Sequence, residues 1–322
     1  MPKPSSVLNL VADIGGTYTR FALAQAGFIQ ADSVARIRTS DFPTLVDAAK
    51  QYLARQTQSA LGACFAVAGP VLEGKFQLTN GFWHDSVDHL RKQLLLDRVQ
   101  LINDFKAIAL AIPQLGASQL LQIGTATPLP SGLSQQAKAV IGPGTGFGSA
   151  LLVETDVGTI TIASEGGHTA LSADNAQEMA LLDWLMQHGH TNECETFISG
   201  PGMELLHRAL CDISGLPHGN PGASDIVQQA LQGDRDCRRT LDQFCAWLGS
   251  VARDYALKCG ARGGVYIAGG VVPHFAEYLR LSDFRVRFES SKKMQHYLHA
   301  VPTYLITAEN PGLIGAAWQS NR

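Results

Sequence analysis

Two similar glycine-rich turns, about 128 residues apart, constrain the fold of this chain more than any other feature of its sequence. The first turn, residues 13–17, lies between an apolar run that starts at residue 7 and another that starts at Phe21. The second turn, residues 142–148, also lies between two apolar runs, and both turns carry a Gly-Thr pair. This pattern is typical of a β-hairpin. A duplicated hairpin whose tip exposes backbone N–H groups predicts two half-sites that bind one polyphosphate from opposite sides.

The residue types of the first turn suit phosphate binding. Gly15 and Gly16 let backbone N–H groups approach phosphate oxygens without a Cβ in the way. Asp13 ends the preceding strand, where a carboxylate can hold Mg²⁺ through water on the phosphates, and Thr17 adds a hydroxyl donor. An ordinary β-turn is the alternative interpretation, but the repeated turn at residues 144–146 favours a pair of phosphate-binding loops.

Residues 69–76 nearly match the P-loop pattern, but their chemistry predicts a hairpin turn instead. A P-loop ends in a Ser or Thr hydroxyl that binds Mg²⁺, and Phe76 has no hydroxyl. Pro70 also removes one of the backbone donors that such a loop would use. This segment is therefore predicted to be structural.

Asn103 and Asp104 follow directly on a predicted strand and precede an apolar helix. A carboxylate at the end of a rigid strand can accept a proton from an attacking hydroxyl group, and Asn103 could hydrogen-bond the same substrate. Capping of the helix N-terminus by either side chain is the alternative interpretation. Asp104 is thus a candidate general base, with the capping role left open.

Glu165-Gly-Gly-His168 places an acceptor and a two-way donor and acceptor on one tight turn. Such a pair suits neighbouring sugar hydroxyls, each of which can both donate and accept a hydrogen bond. A satisfied loop histidine is the alternative for His168, and a metal site is disfavoured because no second His or Cys lies at ligand spacing. Glu195 is a weaker candidate, because an exposed glutamate is the default for this residue type.

The bulk composition describes a globular chain with reduced thiols. A formal net charge of −3 gives no general attraction to nucleic acid or to an anionic membrane, and no apolar stretch approaches the ~18 residues of a membrane span. The six cysteines form no C-x-x-C pair, so they predict reduced, mostly buried thiols. Because the start of the chain lacks a signal-peptide pattern, we expect a cytoplasmic protein. The basic residues between 285 and 293 are expected to form a solvated face.

Strand-like and helical segments alternate almost throughout, which predicts an α/β architecture with a mixed sheet. The later chain is predicted to be more helical, and the apolar stripe of the helix at residues 238–259 is predicted to be core. A final helix after residue 310 is expected to pack on the first domain. The irregular segment 116–136 is predicted to hold the crossing between two domains, 1–118 with 307–322 and 119–306.

Taken in order, these motifs resemble the bacterial glucokinases, the ATP-dependent group outside the ROK family. Further members of the ordered set are Ser199-Gly-Pro-Gly202 and Ala268-Gly-Gly270, and the match runs from residue 7 to residue 318. The resemblance implies a two-domain actin-like ATPase fold, which is ribonuclease H-like, with mixed sheets flanked by helices. It also implies an active-site cleft between the domains that closes on glucose. The implied cofactors are ATP and Mg²⁺, and family members are usually homodimers.

The resemblance also implies roles for individual residues. Asp104 matches the catalytic base. The residues that match sugar ligands are Asn80, Asn103, Glu165, His168 and Glu195. The residues that match the ATP-binding loops are Ala12, Asp13, Ile14, Gly15, Gly16, Thr17, Gly144, Thr145, Gly146, Gly269 and Gly270. Asp13 is expected to hold the metal through water.

Two positions depart from the family pattern. Tyr18 stands where the family normally has Asn after Gly-Gly-Thr, and Thr196 stands where related chains often carry Arg. Neither change touches Asp104. The expected activity is ATP-dependent phosphorylation of D-glucose at its 6-hydroxyl. A kinase for mannose or fructose and a catalytically weak sugar-binding paralogue are the alternatives.

Overall fold

The computed structural model describes residues 7–126, 136–156 and 158–322, and these form two compact units. Unit 1 ends at residue 116 and resumes at residue 308, and unit 2 comprises residues 117–307. The predicted crossing within residues 116–136 lies in part outside the described residues. The predicted domain boundaries lie close to these unit bounds, and the division into independently folding domains stays a prediction.

Strands and helices alternate along the described chain. The strands are β1 (Leu8–Ile14), β2 (Tyr18–Gln25), β3 (Phe28–Ile29), β4 (Ala35–Arg38), β5 (Gly62–Val67), β6 (Val71–Leu72), β7 (Lys75–Gln77), β8 (His84–Ser86), β9 (Arg98–Asn103), β10 (Leu120–Ile123), β11 (Lys138–Pro143), β12 (Phe147–Thr155), β13 (Gly158–Ser164), β14 (Val265–Ile267) and β15 (Thr303–Ile306). The helices are α1 (Leu45–Ala54), α2 (Val87–Gln93), α3 (Asp104–Ala111), α4 (Ala176–Gln187), α5 (Cys194–Phe197), α6 (Gly200–Ile213), α7 (Ala223–Gln232), α8 (Arg235–Lys258), α9 (Ala276–Leu281), α10 (Phe284–Phe288), α11 (Gln295–His299) and α12 (Pro311–Ser320).

Unit 1 is built on a mixed sheet in the order β3-β2-β1-β5-β9, with β4 also paired to β2. β1 and β2 form the first predicted hairpin, while β1, β5 and β9 run parallel. In the parallel register Ile14 lies opposite Val67, and Val67 lies opposite Asn103. The carboxyl ends of these three strands therefore meet at one edge, which is where open α/β sheets bind ligands.

Unit 2 repeats this order in its own sheet, β10-β15-β14-β11-β12-β13. β11 is antiparallel to β12 and parallel to β14, and β14 is parallel to β15. In each unit a hairpin supplies one central strand and its antiparallel neighbour, and two further parallel strands follow on the other side. The predicted α/β class with mixed sheets flanked by helices is confirmed, and the duplication extends from the turns to the sheets.

The two hairpins differ in the length of their turns. Four residues separate the paired Ile14 and Thr19 in the first hairpin. Three residues separate the paired Pro143 and Phe147 in the second. The offset of about 128 residues therefore fits the returning strands, from Thr19 to Phe147, but it becomes 129 for the leading strands, from Ile14 to Pro143, because the second turn is one residue shorter.

Unit 1 buries apolar side chains on both faces of its sheet. One face packs on α1 through Tyr52, and the other packs on α3 and α12 through Leu110 and Leu313. A Cβ added to Gly315 of α12 would lie 1.7 Å from the carbonyl oxygen of Ala107 in α3, so this close approach requires glycine. The final helix thus packs within unit 1, as expected from the sequence.

In unit 2 the long helix α8 lies at the centre of the core. Its apolar stripe is buried at Leu241, Phe244 and Leu248. Helices α6, α7 and α10 pack against it. The predicted core role of this stripe is confirmed.

The predicted solvated face at residues 285–293 is wrong for its two arginines. Arg287 lies 2.6 Å from Glu178, whose side chain is fully buried. Arg285 lies 2.6 Å from Glu289 and donates to the carbonyl oxygen of Val301 at 2.8 Å. A guanidinium group offers five donors, and a run of charges does not reveal which of them find partners in the tertiary structure.

Residues 69–76 contribute to the hairpin of β6 and β7, as predicted. Its turn contains Glu73 and Gly74, whose φ angles are 51° and 72°. Positive φ at both positions is the backbone of a type I′ turn, which joins two strands tightly. The resemblance of this segment to a P-loop therefore has a structural explanation.

The six cysteines are free thiols, as predicted, and five of them are buried. Burial raises the pKa of Cys64 and that of Cys245 to about 12. Such thiols stay protonated and act as packing residues.

Each helix in the described part of the chain is too short or too polar to span a membrane.

Candidate functional site

The first candidate phosphate loop, residues 15–17, is held from behind by Thr39. The hydroxyl of Thr39 donates to the carbonyl oxygen of Gly15 at 2.8 Å, and its N–H donates to that of Thr17 at 3.1 Å. Thr39 is buried in a short 3₁₀ turn that follows β4, and its hydroxyl also lies 3.0 Å from that of Thr19. The side chain of Thr17 is exposed at the hairpin tip. The loop backbone is therefore fixed on one side and open to solvent on the other.

Gly16 packs directly against the turn that carries Asn80. A Cβ added to Gly16 would lie 1.9 Å from the carbonyl oxygen of Asn80. This position therefore requires glycine for packing as well as for the approach of a ligand. The structure brings Asn80, which only the family resemblance had suggested, next to the first phosphate loop. A sugar contact by its side chain stays a prediction.

Asp13 lies at the end of β1 with a partly exposed carboxylate. Burial raises the pKa of this group, and the guanidinium of Arg20, 3.7 Å away, opposes the rise. The first turn of α12 lies against it, since a Cβ added to Gly312 would lie 3.0 Å from each carboxylate oxygen. A helix N-terminus favours a negative charge, so Gly312 is a supporting position that the sequence analysis missed. A hard, partly exposed carboxylate fits a hydrated Mg²⁺ ion.

Asn103 ends β9, and Asp104 begins α3. Asn103 is the N-cap, because its Oδ1 accepts the N–H of Lys106 at 3.0 Å, while its Nδ2 donates to the carbonyl oxygen of Gly69 at 3.2 Å. The capping alternative is therefore correct for Asn103. Asp104 Oδ1 accepts the N–H of Phe105 at 2.9 Å, and the residue is half-buried. A carboxylate held at a strand end in this way can act as a general base.

Two glycine loops of unit 2, which follow β11 and β14, pack against each other. A Cβ on Gly142 would lie 2.4 Å from the carbonyl oxygen of Ala268, and one on Gly269 would lie 2.3 Å from that of Pro143. Gly269 also has a φ of +89°, so the contact requires glycine on both sides. The structure thus brings the second candidate phosphate loop, residues 144–146, together with the loop at residues 268–270, which matches another ATP-binding loop of the family.

The second phosphate loop lies at the start of α6. The carbonyl oxygen of Gly144 accepts the N–H of Gly200 at 2.8 Å, and Ser199 caps the helix through the N–H of Gly202 at 2.9 Å. Thr145 is exposed at the hairpin tip. Among the described residues, nothing lies within 4 Å of a Cβ added to Gly144. This loop therefore has open space beside it and a helix N-terminus nearby, both of which favour an anion.

The turn at residues 165–168 is packed so closely that both of its inner residues must be glycine. A Cβ on Gly166 would lie 1.6 Å from the hydroxyl oxygen of Tyr255. One on Gly167 would lie 2.3 Å from the carbonyl oxygen of Phe147. The glutamate and the histidine at the ends of the turn are exposed. Tyr255, a supporting residue that the sequence analysis missed, thus helps to fix where these two side chains emerge.

His168 has two carboxylate neighbours. Its Nδ1 lies 2.7 Å from Oε2 of Glu193 and 3.7 Å from Oε1 of Glu195. The hydrogen bond with Glu193 raises the pKa of His168, burial opposes the rise, and the charges of Glu195 and Glu165 add to it. Glu195 is itself anchored, because its Oε2 accepts the N–H of Phe147 at 3.1 Å. Glu195 is therefore half-buried and hydrogen-bonded, so the alternative of an exposed glutamate is wrong for it.

Glu193 is a candidate residue that the sequence analysis missed. A lone glutamate in a loop carries no signal of its own, and its position two residues before Glu195 is the one sequence feature that could have indicated it. His168, Glu193 and Glu195 each offer one ligand atom, and these atoms lie within 4.8 Å of one another. The structure thus places two carboxylates beside His168, whereas the sequence-based argument against a metal site considered only a second His or Cys. Exposed acidic groups commonly cluster without an ion, so the cluster by itself does not identify a metal site.

The predicted site residues fall into one group in each unit. The unit 1 group lies at the carboxyl edge of its sheet or against the loop at that edge. Its members are Asp13, Gly15, Gly16, Thr17, Asn80, Asn103 and Asp104. In the unit 2 group, the loops and side chains are linked through direct contacts. Its members are Gly144, Gly146, Gly269, Glu165, His168 and Glu195. Each group combines a glycine loop with acidic or polar side chains.

The family model, the curated relatives and a similar solved structure described below are all glucokinases. The family model described as Glucokinase matches residues 10–322. The chain is 40% identical to the glucokinase of Neisseria meningitidis serogroup B over 318 residues, which are 98% of this chain and 95% of that relative. A solved structure of a glucokinase from an Antarctic psychrotroph has a TM-score of 0.84 at 38% identity and covers 97% of this chain and 98% of that one.

A more distant solved structure extends the likeness of the fold. The glucokinase from Balamuthia mandrillaris in complex with glucose has a TM-score of 0.78 at 21% identity and covers 98% of this chain and 94% of that one. At this identity the likeness supports the fold alone. The fold of this chain is that of the actin-like sugar kinases, as the sequence motifs implied.

Proposed function

Since the chain belongs to the glucokinase family, we propose that it transfers the γ-phosphoryl group of ATP to the 6-hydroxyl of D-glucose. The products are glucose 6-phosphate and ADP. The observation that carries this proposal is the pair of glycine loops, one at the hairpin of each sheet, with Asp104 at the carboxyl edge of the first sheet. The relatives are glucokinases, so neither another hexose nor a catalytically weak paralogue is favoured.

ATP binding is assigned to the glycine loops of the two units. The residues involved are Ala12, Asp13, Ile14, Gly15, Gly16, Thr17, Gly144, Thr145, Gly146, Gly269 and Gly270. Loops with exposed tips and no crowding side chains let backbone N–H groups approach phosphate oxygens. Asp13 would hold Mg²⁺ through water, and the ion when bound would offset the negative charge of the phosphoryl oxygens.

Sugar binding and proton transfer are assigned to the polar residues beside the loops. The proposed ligands of the sugar hydroxyls are Asn80, Asn103, Glu165, His168 and Glu195. Asp104 accepts the proton of the 6-hydroxyl as that oxygen attacks the γ-phosphorus in line. The backbone donors of the loops stabilise the charge on the phosphoryl oxygens. Water must be kept away, because it could otherwise take the phosphoryl group in place of the sugar.

Replacement of Asp104 tests the proposed proton acceptor. Asp104→Asn keeps an oxygen that can accept the N–H of Phe105 but cannot take up a proton. We expect kcat to fall by about 10²–10⁴-fold while glucose still binds. Coupled detection of ADP measures kcat, and calorimetric titration measures glucose binding.

A second carboxylate serves as the matched control. Asp88 on α2 is 82% exposed at its side chain, and Asp88→Asn should leave kcat unchanged. Near-normal turnover in Asp104→Asn would overturn the role of this residue as the base.

A panel of hexoses tests the proposed substrate. We expect the highest kcat/KM with glucose, and a higher value with mannose or fructose would transfer the proposal to that sugar. Turnover of none of the three would favour the weak sugar-binding paralogue.

On the family resemblance we also propose a homodimer and a cytoplasmic location.

A further inference from the structure

The contact between His168 and Glu193 defines which ring nitrogen of the histidine carries the hydrogen. A carboxylate can only accept a hydrogen bond, so Nδ1 of His168 carries the hydrogen in their 2.7 Å contact. In the neutral ring Nε2 then holds the lone pair. Among the residues that the structure describes, Nε2 has no hydrogen-bond partner. His168 therefore presents a defined acceptor to its surroundings.

The backbone around Glu193 fixes the distance between the two side chains. The N–H of Cys194 donates to the carbonyl oxygen of Thr169 at 2.9 Å, which ties the residue after Glu193 to the residue after His168. The hydroxyl of Thr169 also donates to the carbonyl oxygen of Gly166 at 2.8 Å. The fold thus holds together the backbone segments that carry the glutamate and the histidine, and this keeps the two side chains within reach of each other.

Glu193 also determines what Glu195 can bind. One oxygen of Glu195, Oε2, accepts the N–H of Phe147. The other, Oε1, lies 3.7 Å from Nδ1 of His168, which is too far for a hydrogen bond. Because Glu193 already accepts from Nδ1, Oε1 stays available to a ligand.

We propose that Glu193 is a positioning residue that holds His168 with its hydrogen on Nδ1, and so leaves Nε2 and Oε1 of Glu195 to bind hydroxyl groups of the sugar. This inference rests on the proposed function, since it takes these two side chains as sugar ligands. Glu193 and Glu195 lie beside the ring, and the charge of Glu165 also acts on it. Protonation of His168 would convert Nε2 from an acceptor into a donor, so the affinity for sugar should depend on pH.

Two substitutions at Glu193 separate its hydrogen bond from its charge. Glu193→Ala removes the acceptor, and we expect KM for glucose to rise about tenfold, the effect of one lost hydrogen bond. We expect kcat to change by less than about twofold, because the lost interaction is made equally in the ground state and the transition state. Glu193→Gln keeps an acceptor, so KM should return most of the way to the wild-type value. The pH dependence of KM should move to lower pH, because the charge of Glu193 that raises the pKa of His168 is lost.

Nitrogen NMR of His168 reports the tautomer without any measurement of activity. We expect the hydrogen on Nδ1 in the wild type and in Glu193→Gln, and a mixture of tautomers in Glu193→Ala. Glu277→Gln, on an exposed carboxylate of α9 that pairs with Arg280, is the matched control and should leave both KM and the tautomer unchanged.

Three results would overturn the positioning role of Glu193, and a fourth would overturn the proposed function. An unchanged tautomer in Glu193→Ala, or a mixed tautomer without any rise in KM, would overturn the positioning role. A shift of the His168 nitrogen signals on addition of EDTA would also overturn it, because Nδ1 would then be bound to a metal. A wild-type chain that turns over no glucose would instead overturn the proposed function.

Discussion

Tyr18 departs from the family pattern beside the first phosphate loop, and the structure accounts for its side chain. Its carbonyl oxygen accepts the N–H of Gly15 at 3.0 Å, a backbone bond that any residue can make. Its ring lies under the guanidinium of Arg36 on β4, 3.6 Å from the ring centroid. The aromatic side chain therefore contacts a neighbouring strand, and the backbone of the loop does not depend on it.

The variant Tyr18→Asn tests this account at the scale of the residue. We expect a loss of about 0.5–1 kcal/mol of unfolding free energy, the value of an exposed cation–π contact. We expect kcat and KM for ATP to stay within about twofold of the wild type, because the backbone bond to Gly15 is kept.

Arg36→Gln removes the same contact from the other side and should cause the same loss of stability. A change of kcat by more than about tenfold in Tyr18→Asn alone would mean that the ring shapes the loop directly.

Among the elements of unit 2, α10 is joined to α4 and α8 by Arg287. Its Nη1 donates to Glu178 on α4 at 2.6 Å, and its Nη2 donates to Ser250 on α8 at 2.9 Å. Burial alone would raise the pKa of Glu178. The hydrogen bonds from Arg287, the N–H of Asp174 and the amide of Gln243 outweigh burial and lower that pKa. The buried carboxylate is therefore stable as an anion only with these partners.

Arg287→Met tests this connection between helices. We expect a loss of about 3–5 kcal/mol of unfolding free energy at neutral pH, because the charge of Glu178 is left buried without its partner. Since the folded-state pKa of Glu178 lies below its ordinary value of 4.5, the stability it contributes to the wild type is fully present above that pH. This contribution is lost as the pH falls through the folded-state pKa. Urea unfolding at several pH values measures both effects.

An exposed pair on α9 gives the control for this experiment. Arg280→Met breaks a contact of 2.8 Å with Glu277 and should cost about 0–1 kcal/mol, as exposed ion pairs do. Adding Glu178→Gln to Arg287→Met should recover part of the loss, because no charge then stays buried. Equal urea midpoints for Arg287→Met and the wild type would refute the connecting role of this arginine.

For the whole molecule, the two units share one strand order but differ in the side chains near their glycine loops. The first hairpin is accompanied by the carboxylates of Asp13 and Asp104. The second is accompanied by Glu195 and His168, which are linked to it through the N–H of Phe147. The repeated architecture accounts for two candidate phosphate loops, and the differing side chains account for the separate roles proposed for the two units.

Glucose should stabilise the whole chain if the proposed function is correct. A ligand that binds only the folded state adds about 2.7 kcal/mol when present at 100 times its Kd. We expect Tm to rise with D-glucose in scanning calorimetry, and the rise to be smaller in Glu195→Gln. L-glucose has the same composition and serves as the control. An equal rise with both sugars would mean that the effect is that of a cosolvent.

Much of the fold and part of the site could be predicted from the sequence. The sequence by itself determined the two hairpins, the α/β class, the core stripe of α8 and the ordered motifs of the family. Periodicity, turn residues and glycines report local backbone preferences, and these are properties of short segments. For the same reason Asp13, Asp104 and Glu165 were predicted correctly as residues at strand ends or in tight turns.

Only the tertiary structure decided the contacts between distant segments. Glu193 lies 25 residues from His168 in the chain, and Glu178 lies 109 residues from Arg287. The contact of Gly312 with Asp13 spans nearly the whole chain. The pairing register of the second hairpin likewise depended on how its turn closed. No local pattern encodes such neighbours, because they meet only when separate segments pack against one another.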